Sequence, residues 1–409
     1  MNGQGSEAAA CVTTESSRSR QKGHGVNGQG SEAAACVTTE SSRSRQKGHS
    51  MTEPEVIIEK RDGLGLITLN RPKAINALNH PMALAILDAL RAWATDDEVR
   101  TVVLTGAGER GLCAGGDIVA IHTDAKNAVA EGNSAQADSP SGKFWRDEYI
   151  LNALIGSYPK PYVAVMDGIV MGGGVGLSGH ASHRIVTERS KVGMPETGIG
   201  FIPDVGGTYL LSRAPGEIGT HIALTTARMS AGDAIAAGFA DYYVPSEQLP
   251  ALLEALRTAD AEVAIAKFAQ AAPASDLEAQ QEWIDACYSA DTVEEIVARL
   301  QDLDAPEAAK AAQDVLSKSP VALKVTLRSL RNARRAASLE EVLNEEYRVS
   351  VASLCTHDLV EGIRAQVIDK DRNPQWSPAT LADVTTADVD AYFAELGDKE
   401  LGLNAPKEQ

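Results

Sequence analysis

The sequence predicts an α/β fold whose C-terminal part is mostly helical. Short apolar strands alternate with helical segments up to about residue 245, a pattern typical of an α/β core. From about Ser246 to Lys370 the chain changes to Ala-, Leu-, Glu- and Lys-rich segments with helical spacing. We therefore predict three parts: a disordered duplicated tail at residues 1–50, an α/β core at 51–245 and a helical region at 246–409.

Composition limits the classes of partner. The chain has 409 residues, of which 44% are hydrophobic, enough for a sizeable core. A net charge of −18 argues against a nucleic-acid partner, and no apolar run is long enough to span a bilayer. Five cysteines without CxxC spacing favour a reducing compartment. We expect a cytoplasmic protein without nucleic-acid or membrane partners; a homo-oligomer stays open.

The first fifty residues are a tandem duplication. Residues 26–50 repeat residues 1–25 with only the first and last residue changed. The repeated unit is polar, rich in Gly, Ser and Arg, and cannot bury a core, so disorder is predicted. It lacks the apolar stretch of a signal peptide. A non-functional tail is favoured, and a docking tail is the alternative.

The predicted core elements follow from apolar patterning. Strands at 56–59 and 65–69 flank a turn at Asp62–Gly63. A helix is predicted from Pro81 to Ala94, because its apolar residues recur near one face. The later predictions are, in chain order, a buried strand at 101–105, a glycine-rich loop at 106–117, a mobile loop at 125–143, a helix at 144–155, and strands at 162–165 and 185–187.

Several motifs suggest chemistry that their context does not favour. Gly106, Gly108 and Gly111 form a GxGxxG after a strand, but the loop continues where a dinucleotide-binding helix should begin. Ser178 lacks the second glycine of a nucleophile elbow. His180 and His183 have no third ligand nearby, and we expect no metal.

A basic stretch has helical spacing and two interpretations. The first is a solvated helix face, and the second is a contact to ligand phosphates. Its members are Lys324, Arg328, Arg331, Arg334 and Arg335.

Two glycine-rich turns and two acids form the constellation that carries chemistry. The turns Cys113–Asp117 and Met171–Gly176 each follow a buried strand and can aim backbone N–H groups at one carbonyl oxygen, as in an oxyanion hole. Glu196 and Asp204 lie in a downstream loop of mostly apolar and glycine residues, where burial would perturb their pKa. Such a pair suits acid–base or nucleophilic work. The structural alternatives are tight-packing turns and helix capping by Asp204.

Four segments in this order resemble the enoyl-CoA hydratase/isomerase (crotonase) superfamily. They are Asn70–Leu78, Cys113–Asp117, Lys160–Gly168 and Met171–Gly176. The resemblance covers about residues 55–245 and implies a crotonase-like spiral of ββα repeats. It also implies an acyl-CoA substrate and no separate cofactor, since CoA is part of the substrate.

The resemblance assigns roles residue by residue. The amides of Ala114 and Gly173 would form the oxyanion hole. Glu196 matches one of the two catalytic glutamates of a hydratase, whereas Gly176 stands where the other would be and Asp204 replaces a glycine. The residues matching the CoA-lining segment are Lys73, Ala74, Asn76 and Ala77.

The segments Phe144–Tyr149 and Gly168–Ser178 are similar to one subfamily, the 3-hydroxyisobutyryl-CoA hydrolases. That similarity implies that Glu196 and Asp204 are catalytic and that Glu148 and Gly173 line the substrate with them. The expected function is hydrolysis of an acyl-CoA thioester, above all 3-hydroxyisobutyryl-CoA in valine degradation. The alternatives are an enoyl-CoA hydratase or isomerase using Glu196 alone, a non-catalytic CoA-binding subunit and a nucleotide-binding enzyme.

Overall fold

A six-stranded mixed sheet carries the fold. The computed structural model describes residues 53–132 and 136–404, so the duplicated segment lies outside the described residues. The strands in the described part are Val56–Arg61 (β1), Leu64–Leu69 (β2), Thr101–Gly106 (β3), Tyr162–Met166 (β4), Ile169–Met171 (β5), His183–Val186 (β6), Lys191–Gly193 (β7), Arg228–Met229 (β8) and Tyr242–Tyr243 (β9).

The sheet has the order β1-β2-β3-β4-β6-β9. Strands β1 and β2 form an antiparallel hairpin, and every later pairing in this sheet is parallel. The residues of β4 are buried throughout, as expected for a parallel strand covered on both faces. A second, three-stranded sheet has the order β5-β7-β8 and brings β5 beside β7. The predicted α/β fold class is confirmed.

Helices surround the sheets and dominate the second half of the described chain. Those before residue 246 are His80–Ala94 (α1), Ile118–Ala130 (α2), Pro140–Gly156 (α3), Gly173–Ser178 (α4), Gly207–Arg213 (α5), Ile218–Thr225 (α6) and Ala231–Ala236 (α7). Those after it are Leu249–Leu256 (α8), Ala261–Ala266 (α9), Asp276–Ala279 (α10), Gln281–Tyr288 (α11), Val293–Asp302 (α12), Pro306–Leu316 (α13), Pro320–Ala333 (α14), Leu339–Ser353 (α15), His357–Ile363 (α16) and Thr386–Asp390 (α17). Within the described residues, no helix combines the length and apolarity needed to cross a membrane.

One local prediction is wrong at both of its ends. The segment 125–143 is predicted to be a loop, but α2 continues to Ala130 and α3 already begins at Pro140, so only the described residues between these helices lie outside a helix. The reason is that Ile121, Ala125 and Ala128 form a buried stripe at helical spacing, and alanine is a strong helix former. Residues 133–135 of this segment lie outside the described residues.

Helix α3 lies at the centre of the packing. It contacts both α1 and α15, so it links the N-terminal region to the C-terminal helices. On α3, the Trp145 ring stacks on Phe201 with centroids 5.4 Å apart, and Tyr149 meets the edge of Tyr347 on α15 at 6.2 Å. From Glu53 onward the chain is one compact unit, and the boundary at residues 245 and 246 stays a prediction.

Helix α16 approaches the backbone of a short 3₁₀ helix, Glu196–Ile199, through a glycine. A Cβ on Gly362 would lie 2.3 Å from the carbonyl carbon of Ile199, a distance that requires the backbones to move apart. Gly198, within the 3₁₀ helix, has room for a methyl group, because its Cβ would lie 3.7 Å from Thr226 Cγ2.

We expect Gly362→Ala to destabilise the protein by about 1–3 kcal/mol, because the new methyl group overpacks a backbone contact. Gly198→Ala, the matched control, should change the free energy of unfolding by less than about 1 kcal/mol. Urea unfolding of the two variants and the wild type measures both values. Equal stability of Gly362→Ala and the wild type would contradict this account of the helix contact.

Candidate active site

The two glycine-rich turns lie side by side. Cys113 N donates to Ile169 O and Met171 N donates to Cys113 O, so the first turn runs along β5. A Cβ on Gly174 would lie 2.7 Å from Cys113 O, so this approach requires glycine. Helix α4 begins at Gly173, whose N–H points out of the helix start and has no intrahelical acceptor.

The prediction that the Ala114 N–H is a donor in an oxyanion hole is wrong. This N–H donates to Ile75 O at 2.9 Å and is therefore occupied. Gly116 forms a parallel bridge to Leu78, in which Leu78 N donates to Gly115 O and Asp117 N donates to Leu78 O. In such a bridge the central residue's own N–H points away from the paired strand.

Gly116 and Gly173 are the amides that come together. A Cβ built on Gly173 would lie 3.4 Å from Gly116 N. Neither N–H has a backbone acceptor among the described residues. The predicted role of Gly173 is thus compatible with the geometry, and its partner is Gly116 instead of Ala114. The bridge to Leu78, which fixes which amide is free, is a long-range pairing that motif spacing does not reveal.

Three buried acids meet these amides in one cavity of about 350 Å³. Glu148 on α3 is 2% exposed, and Glu196 and Asp204 are each 6% exposed. Cβ atoms built on Gly172 and Gly173 would lie 2.8 Å from Glu196 Oε1 and 2.7 Å from Glu148 Oε1, respectively. The structure therefore brings all three predicted acids into one cavity, with Glu148 and Glu196 at the start of α4.

Burial controls the ionisation of this cluster. Loss of solvation raises the pKa of Glu148 and of Glu196 well above the ordinary range, and the Asp204 charge raises both further. Burial likewise raises the pKa of Asp204 to about 7, against the opposing effect of the Tyr149 hydroxyl. Glu148 Oε1 and Glu196 Oε2 have no hydrogen-bond partner within the described part of the chain. These two atoms are available to a ligand.

The turn that carries Asp204 is strained and held from several sides. Val205 has φ of 55°, which a β-branched residue rarely adopts. His180 Nε2 lies 2.8 Å from Val205 O, so its N–H donates to that carbonyl. Glu346 on α15 accepts hydrogen bonds from Gly206 N at 2.6 Å and from Thr208 N at 3.0 Å. A strained backbone that is held in place by several hydrogen bonds is common at functional sites.

Sequence analysis missed the residues behind Asp204. The Tyr149 hydroxyl donates to Asp204 Oδ2 at 2.7 Å and lies 2.7 Å from Ser350 Oγ. Glu346 is fully buried, and burial raises its pKa to about 8. Ser350 and Glu346 are one helical turn apart on α15, but nothing in their spacing links them to an acid about 140 residues earlier.

Neighbouring side chains fill the space next to Gly176. A Cβ at this position would lie 2.7 Å from Val205 Cβ and 2.9 Å from Asn152 Nδ2. A glutamate, which the resemblance would require here for a hydratase, does not fit without displacing both neighbours.

The predicted CoA-lining segment is only partly suited to a ligand. Asn76 is 0% exposed, and its side-chain amide donates to Ala107 O and Gly111 O, so its predicted contact with CoA is wrong. Lys73 and Ala74 are exposed, and Ala77 is half-buried. Their contact with CoA stays a prediction.

The GxGxxG, the serine at position 178 and the basic stretch, which suggested other chemistry, have structural roles. Gly111 bridges to Gly168, and the next helix begins only at Ile118, unlike a dinucleotide-binding turn. The buried Ser178 hydroxyl donates to Gly174 O. The basic stretch forms ion pairs, among them Arg331 and Arg334 with Glu217.

Three basic side chains from other parts of the chain line the active-site cavity: Arg228, Lys318 and Arg372. Their charge stands out in a chain of net charge −18. The cavity therefore pairs a buried acid cluster with a wall that attracts anions.

Comparison with known proteins agrees with this arrangement. The family model described as enoyl-CoA hydratase/isomerase matches residues 64–393. The chain belongs to the enoyl-CoA hydratase/isomerase family. The predicted crotonase fold is confirmed by this match and by the structures below.

Relatives in this family carry different activities in their names. A mitochondrial 3-hydroxyisobutyryl-CoA hydrolase of Rattus norvegicus is 43% identical over 358 residues, 85% of this chain and 90% of the relative. A carnitinyl-CoA dehydratase structure from Mycobacterium thermoresistibile is 55% identical, with TM-score 0.81, covering 86% of this chain and 99% of that one. An enoyl-CoA hydratase structure from Rhodobacter sphaeroides is 44% identical, with TM-score 0.78, covering 86% and 100%. The name of the rat relative does not support the cytoplasmic location expected from cysteine usage, and that location stays a prediction.

The buried Asp204 predicts a pH-dependent stability. Because its folded-state pKa is raised from 3.8 to about 7, its contribution is complete below pH 4 and is lost as the pH rises through 7. The loss is at most about 4 kcal/mol, since one pKa unit corresponds to about 1.4 kcal/mol. Asp204→Asn should remove this component, so its stability relative to the wild type should rise between pH 4 and pH 8.

Denaturant unfolding at pH 4, 6 and 8 measures the effect. Asp88→Asn, at an exposed position on α1, is the matched control and should follow the wild type at each pH. A parallel pH dependence in Asp204→Asn and the wild type would contradict the raised pKa.

Proposed function

We propose that the chain hydrolyses 3-hydroxyisobutyryl-CoA to 3-hydroxyisobutyrate and CoA, a step of valine degradation. The observation that carries the proposal is the site itself, in which two free amides face buried Glu196 and Asp204 while the space next to Gly176 is closed. Relatives about 43% identical over most of the chain are named for this reaction. The proposed chemistry uses no cofactor besides the CoA of the substrate.

The amides of Gly116 and Gly173 would bind the thioester oxygen and stabilise the negative charge that develops on it. Such donors contribute about 3–4 kcal/mol each in well-studied enzymes. Glu196 would then deliver the oxygen, either by attacking the carbonyl to give an anhydride or by deprotonating a water that attacks. Asp204, whose pKa of about 7 lets it take up and release protons near neutrality, would transfer the proton to the departing sulfur.

The remaining groups fit the substrate. Glu148 Oε1 is unpaired in the described structure and would accept a hydrogen bond from the 3-hydroxyl group. Arg228, Lys318 and Arg372 supply positive charge at the cavity for an anionic CoA ester. The acyl group would thus lie at the acids while the charged part of CoA extends outward.

Water addition or elimination on an acyl-CoA is the second candidate. The 55% identical relative is named a carnitinyl-CoA dehydratase, which favours it. The structure argues against this second candidate, because position 176 has no room for a second glutamate. Glu196 therefore lacks the partner that the resemblance requires for a hydratase.

A panel of acyl-CoA esters distinguishes the two candidates. We expect free thiol release to be fastest with 3-hydroxyisobutyryl-CoA. We expect no hydration of crotonyl-CoA, which is measured as loss of its enoyl absorbance. Hydration without thiol release would overturn the hydrolase proposal.

We expect Glu196→Gln to lower kcat about 10²- to 10⁴-fold, because the amide neither attacks nor removes a proton. Binding of the acyl-CoA, measured by calorimetry, should persist. Glu345→Gln is the matched control, a partly buried glutamate outside the cavity, and should retain turnover. Undiminished thiol release by Glu196→Gln would exclude the catalytic role.

Single turnover in ¹⁸O water separates the two routes for Glu196. Attack by the carboxylate gives an anhydride, and label enters the Glu196 side chain when water then opens that anhydride at the Glu196 carboxyl carbon, so label found there shows attack. Base catalysis places label only in the released acid. Mass spectrometry of the peptide that contains Glu196 measures the difference.

A further inference from the structure

Asp204 is held by a buried chain of hydroxyl groups. Its Oδ2 accepts a hydrogen bond from the Tyr149 hydroxyl at 2.7 Å, and the same phenol oxygen lies 2.7 Å from Ser350 Oγ. A phenol has one hydrogen, so when Tyr149 donates to Asp204, Ser350 must donate to Tyr149. The hydrogen bonds therefore run in one direction, from α15 through α3 to the carboxylate.

These two hydroxyl residues act from behind the site. Neither Tyr149 nor Ser350 lines the active-site cavity, and both are fully buried. They therefore cannot touch a substrate that occupies it. A donor to an ionised carboxylate is worth more than a neutral hydrogen bond, and a second hydroxyl in line strengthens it.

Helix α15 fixes the same turn at a second point. Glu346, four residues before Ser350, accepts hydrogen bonds from Gly206 N and Thr208 N, immediately beyond Asp204. The helix thus fixes the side chain of Asp204 through Tyr149 and the backbone after it through Glu346. The strained φ of Val205 lies between these two anchors.

We propose that Tyr149 and Ser350 are positioning residues that orient the Asp204 carboxylate for proton transfer, with α15 as their support. This inference rests on the proposed function, because it assigns Asp204 a role in turnover. A purely structural role is the competing account, since Tyr149 also packs edge-on against Tyr347. If Tyr149 and Ser350 are positioning residues, their removal changes the pH at which Asp204 ionises. If their role is purely structural, that pH stays the same.

The test is the pH dependence of kcat for thiol release from 3-hydroxyisobutyryl-CoA. The ionisation that disappears in Asp204→Asn is assigned to Asp204, as part of a coupled cluster. Tyr149→Phe should move it upward by on the order of one pH unit, because the carboxylate loses its donor. Ser350→Ala should move it in the same direction by less, and both variants should lower kcat more than they change KM.

Two control variants keep the experiment specific. Tyr162→Phe removes a buried hydroxyl that has no hydrogen-bond partner within the described chain, and Ser353→Ala removes one on α15 that donates to Val349 O. Both should leave the pH profile unchanged. If Tyr149→Phe and Ser350→Ala lower stability but keep the wild-type ionisation, the positioning role is refuted. If Tyr149→Phe does not fold, Ser350→Ala alone decides in the same way.

A second readout needs no turnover. Since removal of the donor raises the pKa of Asp204 further, the pH-dependent loss of stability in Tyr149→Phe should continue above pH 7, beyond that of the wild type. Absence of thiol release by the wild type would refute the proposed function, whereas this stability measurement would still report on the Tyr149–Asp204 coupling. Release by the wild type with unchanged profiles in both variants would refute the positioning role alone.

Discussion

The burial of three carboxyl groups around two backbone amides is the constraint on which the site depends. Glu148, Glu196 and Asp204 lie too close together, and too far from water, to be ionised independently. An isolated buried charge would be costly, so the cluster retains protons near neutral pH. Beside unpaired N–H groups, such a coupled cluster can hold one carboxyl group ionised while a neighbour keeps its proton, so it can both accept and donate a proton.

Glycine makes this geometry possible at a few definable points. The contact between Gly174 and Cys113 O brings the two turns together, and Gly172 and Gly173 let the acids approach the start of α4. Any side chain there would separate the amides from the carboxyl groups. The close approach is therefore a requirement of the proposed chemistry as well as of packing.

Much of the fold and part of the site follow from local sequence. Apolar runs predicted the strands, and the motifs around Gly173, Glu196 and Asp204 located residues that do converge. The errors have a common physical origin in long-range contacts. The hydrogen bond from Ala114 N to Ile75 O occupies the predicted donor, and the internal hydrogen bonds of Asn76 remove its side chain from the surface. The buried stripe of α2 extends a helix into a predicted loop. Ser350 and Glu346 could not be found, because only the packing of α15 against α3 brings them to Asp204.

The filled space beside Gly176 has an evolutionary consequence. Three positions, Gly176, Val205 and Asn152, occupy one small volume and come from three separate segments of the chain. An acidic side chain introduced at position 176 by a single substitution would clash with the side chains of the other two residues. An acid at position 176 would therefore need smaller side chains at positions 152 and 205 at the same time, so these three positions can change only together.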